Sequence, residues 1–146
     1  MKKALLLSVI AAVMLQPVFG NYAFYKKISN TCSSYRIKIN DRNMHMNGTV
    51  FTVELASKRN DFEMVMLVGF AAVGQAIIHQ RELALSKPDF TPMIPEKIEI
   101  AVNVPLGRNE TIITAIAPAK LVEELADGSL EASEFMRQIK DSISSH

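Results

Sequence analysis

Between Met64 and Ile78 the chain offers one strongly polar side chain, Gln75, in fifteen residues. The run lies inside a longer periodic segment, Asn60 to Ser86, that carries helix signals at both ends. Asn60 is a good N-cap, Glu63 stands three residues on for a capping box, and Asp61 adds negative charge where the helix dipole favours it. At the other end Lys87 precedes Pro88, and the residue before a proline is pushed out of helical geometry. A helix apolar nearly all round is buried on more than one side. At 1.5 Å per residue it would run about 39 Å, against roughly 23 Å for a seven-residue strand, so its second half should overhang a sheet.

The rest of the chain is patterned around that helix. Tyr35 to Ile39 alternates, with Ile37 and Ile39 on one face and Arg36 and Lys38 on the other, which predicts a strand. Met44 to Met46 leads into Asn47-Gly48, a strong hairpin signal, and then into strand formers from Thr49 to Leu55. The pattern leaves two registers open: one long irregular strand from Tyr35 to Met46 turning at Asn47-Gly48, or three short ones. Pro88, Pro92 and Pro95 make a stiff connector. Glu96 to Val104 alternates cleanly, Pro105 to Asn109 reads as a loop, and Glu110 to Ala117 returns as a partner strand. Pro118 suits the start of a helix over Ala119 to Ala126, ended by Asp127-Gly128. Ser129 is placed to cap a last helix whose stripe is Phe135, Met136, Ile139 and Ile143. The expected fold is α+β: an antiparallel sheet of about four strands, as two hairpins, flanking one long buried helix, with C-terminal helices.

The N-terminus changes the picture of compartment. Lys2 and Lys3, an apolar run from Ala4 to Leu15, and Val18 and Gly20 ahead of Asn21 have the anatomy of a signal peptide. Residues 1–20 are therefore expected to be a cleaved leader and 21–146 a single domain, exported to the periplasm or beyond. The alternative is an uncleaved membrane anchor, since Ala4 to Tyr25 is long enough to span a bilayer and is followed by Lys26 and Lys27. Residues 21–33, aromatic, then basic, then rich in Ser, Asn and Thr, read as a lead-in of uncertain order. Cys32 is the single cysteine, so no internal disulfide supports the fold.

Charge is near balance: without Lys2 and Lys3 there are 14 basic and 15 acidic residues, a net −1 that gives nucleic-acid binding no support. The distribution is uneven. Residues 21–59 carry seven basic side chains against Asp41 and Glu54, while residues 88–146 carry five against ten acidic. Either basic and acidic segments pack together, or the basic one forms a patch for an anionic partner or membrane, with Lys26 and Lys27 as the peripheral contact.

Candidate chemistry is sparse. Gln75, His79, Glu82 and Ser86 fall on one helix stripe. A histidine beside a carboxylate is the arrangement of a general base, so His79 and Glu82 are the catalytic candidates, although such a stripe is ordinarily a solvated face. With Arg108 at a hairpin tip, Gln75 and His79 are the binding candidates. His79, His45 and Glu82 do not make a metal motif, so no metal and no cofactor is expected. Gly69, Ala72, Gly74 and Ala76 permit close approach of another backbone, and a Gly69/Gly74 face is the expected route for self-association or a protein partner. Two functional classes follow: a small non-enzymatic binding or accessory protein, or a small enzyme or ligand carrier with a pocket between helix and sheet at His79 and Glu82.

Overall fold

The computed structural model describes residues 21–58 and 61–146. The expected leader and the Asn60 cap lie outside them. The fold is α+β, built on a five-stranded sheet in the order β1 (Met44–Asn47), β2 (Val50–Ala56), β3 (Lys97–Leu106), β4 (Asn109–Pro118) and β5 (Ser144–Ser145). Both expected hairpins form, β1 with β2 and β3 with β4. They meet through a parallel β2–β3 pair, so the sheet is mixed. Alternation within a strand is the same for either sense of pairing, which is why the pattern could not show this.

The parallel pair requires a crossover, and α2 (Phe62–Ser86) makes it. The helix ends where the proline signal placed its end, with Lys87 as C-cap; at its start the N-cap is Asp61, whose side chain makes no capping bond. By length and composition α2 could cross a membrane, yet more than half of its most apolar window is buried within the fold. Gly69 lies against Leu55 and Ile100 of the sheet, and Gly74 against Val122 and Ala126 of α3 (Ala119–Asp127). The helix is thus enclosed on two sides by its own chain. Burial along the helix continues to Gln80, which meets the proline connector at Met93.

Two expectations fail in the N-terminal third. Residues 21–34 are helical (α1), where a lead-in of uncertain order was expected. Phe24, Ile28 and Cys32, spaced by four, are fully buried, and Phe24 meets Phe51 of β2 edge-on at 4.9 Å. That apolar spacing drives the helix despite the poor helix formers Ser29, Asn30, Thr31, Ser33 and Ser34. The second failure is the strand at Tyr35–Ile39. The alternation is real, with Ile37 buried and Arg36 and Lys38 exposed, but the segment pairs with no strand: Tyr35 and Arg36 turn out of α1, and Asp41–Asn43 form a 3-10 turn before β1.

Both hairpins turn on a glycine at positive φ in the first central position, Gly48 at 62° before Thr49 and Gly107 at 61° before Arg108, as a two-residue type II′ turn needs. The turn at 105–109 is accordingly tighter than the loop expected there. The last helix, α4 (Ala132–Ile139), has Glu131 at its N-cap position instead of Ser129, with no side-chain capping bond, and buries Phe135 on Phe70 with ring centroids 5.0 Å apart. The chain then adds β5 to the edge of β4.

Candidate functional site

The α2 stripe is only partly the solvated face expected of it. Gln75 Nε2 donates to the carbonyl of Ala126 at 2.7 Å, closing one of the free carbonyls at the end of α3. One turn on, the His79 side chain is 38% exposed and Glu82 70%, with Nδ1 and Oε2 3.9 Å apart. That separation is too long for a hydrogen bond, so the carboxylate does not orient the ring. His79 borders a shallow cleft against α1 that includes Tyr22, Lys26 and Lys27. Ser86 closes the stripe by donating to the Leu83 carbonyl. Arg108 lies exposed at its hairpin turn. His45 is exposed on β1, and among the described residues no group of three His, Cys, Asp or Glu is placed to hold a metal ion.

The Gly69/Gly74 pair does not make one contact face. Five residues apart on a helix, the two point in different directions, and each close approach is made by this chain's own sheet or helix.

Two polar features were not legible in the sequence. Gln80 is fully buried, and its Oε1 accepts the Met93 amide at 2.8 Å, fastening the proline connector to α2. The second is a groove of about 440 Å³ between the end of α1, the end of β2 and the first turn of α2; it is lined by Arg36, Lys38 and Lys58 together with Asp61, Tyr35 and Met64. The excess of Lys and Arg over residues 21–59 signalled a basic patch, but only the fold shows which cations converge.

Among the described residues, no basic side chain of 21–58 pairs with an acidic side chain of 88–146: the arginine ion pairs are Arg81–Glu123 between α2 and α3 and Arg137–Glu134 on α4, and His79 approaches only its helix neighbour Glu82. Cys32 is free and fully buried, and desolvation pushes its thiol up to about 11. Opposite the helices, the sheet's open face exposes Ile112 and Ile116, with Ile112 beside Glu54 and Asn103. Comparison with known proteins finds no matching family model, no similar curated protein and no similar solved structure.

Proposed function

We propose that the chain is a small exported binding or accessory protein, without chemistry of its own, that meets an anionic partner through the basic surface of its N-terminal third. One observation carries this: Lys26, Lys27, Arg36, Lys38, Arg42 and Lys58 make no ion pair with any described carboxylate, although residues 88–146 hold ten acidic side chains. Cations left unpaired on one segment produce a local positive potential that steers and holds an anionic partner. The test is co-sedimentation of the purified protein with its native envelope at low and high salt, beside a variant in which Lys26, Lys27, Lys38 and Lys58 are all changed to Glu. Retention that weakens with salt and is lost in the variant is expected. Retention indifferent to both refutes the reading.

The alternative, a small enzyme or ligand carrier using His79 and Glu82, has the half-buried ring of His79 in the α1–α2 cleft in its favour. A folded His79→Ala protein that had lost a demonstrable activity or ligand would put it ahead.

A further inference from the structure

We infer that the groove between the end of α1 and the start of α2 is a binding site for a phosphate group. This deepens the binding reading above by naming where the anion sits and what it is. Arg36, Lys38 and Lys58 reach the groove from two separate segments, all three are exposed, and none has an ion-pair partner among the described residues. Among the described residues Asp61 is the one acidic side chain in the lining, so their side chains sum to +2. A single carboxylate is satisfied by one arginine fork. Three converging cations suit a group of higher charge with several acceptor oxygens, and a phosphate group provides both. The volume leaves space for an organic body beside Tyr35 and Met64.

Arg36 carries the most information. It occupies the left-handed position that ends α1, with φ of 61°, its own amide on the Ser33 carbonyl at 2.9 Å and the Ile37 amide on the Cys32 carbonyl at 3.0 Å. Those two bonds are the Schellman cap, and glycine is its preferred residue. The same chain uses glycine for this purpose after α3, where Gly128 has φ of 83°. The cap at α1 is made by backbone groups, so the guanidinium is not needed for it. Its presence costs backbone energy and leaves a cation in the groove. The position in the fold suits the same ligand: the groove opens at the carboxyl end of β2, beside a parallel neighbour and at the start of α2, where open α/β units receive ligands.

The experiment is a titration of the ¹⁵N-labelled protein with glycerol 3-phosphate, with sodium chloride of matched ionic strength as control, followed by sedimentation with phosphatidylcholine vesicles with and without phosphatidylglycerol. Saturable shifts centred on Arg36–Lys38, Ser57, Lys58 and Asp61–Val65, and not produced by chloride, are expected. Arg36→Gly and Lys58→Ala should each weaken binding by roughly tenfold, the loss of one charge-assisted contact. Asp61→Asn should tighten it, and Arg36→Gly should melt no lower than the parent. Binding to glycerol 3-phosphate alone assigns a soluble ester, and additional, stronger binding to the anionic vesicles assigns a lipid headgroup; either supports the site. No saturable shift with glycerol 3-phosphate and no gain from phosphatidylglycerol overturns it, as does parent-like binding by both Arg36→Gly and Lys58→Ala. Salt-sensitive envelope retention without phosphate binding would remove the groove and leave the basic-surface reading standing. Phosphate binding without envelope retention would do the reverse.

Discussion

Replacing Gly74 by alanine sets helix propensity against packing at a place where the two can be separated. In an exposed helix the change would stabilise by about 1 kcal/mol. Here the added Cβ would meet the Val122 carbonyl and come within 2.6 Å of the Ala126 Cβ. To restore an ordinary contact of 3.4 Å, α3 must retreat from α2 by at least 0.8 Å at Ala126, and further at the carbonyl. The obstruction is backbone, and α3 is held by the buried Val122, by the Gln75–Ala126 bond and by the Arg81–Glu123 pair, so it cannot yield by turning a side chain. Overpacking of this kind costs roughly 1 to 3 kcal/mol, and a rigid wall belongs at the upper end. The expected net loss for Gly74→Ala is about 1 to 2 kcal/mol, read by urea denaturation, with a fall in Tm of roughly 4 °C or more. Gly69→Ala is the control. Its Cβ would meet the tip of Leu55 at 2.8 Å and Ile100 at 3.2 Å, flexible side-chain ends that can shift, so its stability should stay within about 1 kcal/mol of the parent. A Gly74→Ala protein as stable as the parent, or more so, would show that α3 does not press on α2 as described.

Three further outcomes are expected. Gln80→Leu leaves the Met93 amide without its acceptor and should cost roughly 1 to 3 kcal/mol, with faster proteolysis of the connector after Ser86; unchanged urea stability would refute the fastening role. Because burial raises the Cys32 thiol from 9.0 to about 11, the fold favours the neutral thiol, and this stabilisation is complete below pH 9 and lost as pH rises toward 11. At mildly alkaline pH a thiol reagent should therefore label Cys32 only as fast as the protein opens, and rapid labelling of the native state would contradict the burial. Export with cleavage should leave Asn21 as the first residue, and an intact mass that retains Met1 would favour the anchor.

What could be read from the sequence follows from how local each determinant is. The end of α2, the two hairpins, α3 and the Phe135–Ile139 stripe rest on contiguous signals, and they appear close to where those signals placed them. The helix of residues 21–34 was obscured by polar residues between Phe24, Ile28 and Cys32, although that four-residue spacing was present to be counted. The strand at Tyr35–Ile39 failed for the opposite reason: alternation reports which side chains are buried and says nothing of whether a neighbouring strand exists. Gln75 and Gln80 show the same limit for polar residues. Their spacing on a helix does not reveal that the Ala126 carbonyl and the Met93 amide, distant in the chain, will take them up.

The parallel β2–β3 pair decides where polar chemistry is left free. Because parallel strands cannot be closed by a tight turn, residues 57–96 must cross from one end of the sheet to the other, and the two ends are finished differently. At the amino end of β3 the backbone closes on itself: the Thr49 carbonyl accepts from the amides of Glu96 at 2.9 Å and Lys97 at 3.3 Å, and the Glu96 carbonyl accepts from Ala119 at 2.9 Å. At the carboxyl end, the Ser57 amide donates to the Asn103 carbonyl at 2.9 Å, and beyond it the chain leaves the sheet for α2. The first amides of that helix have no acceptor within it, and Asp61 supplies no cap. The strained end of α1 is brought to the same edge, carrying Arg36 and Lys38 to Lys58. One end of the crossover is thus sealed by hydrogen bonds, while the other gathers cations around an open groove. An anion bound there would satisfy charges and helix amides together, which is the physical reason to look for the ligand at this edge first.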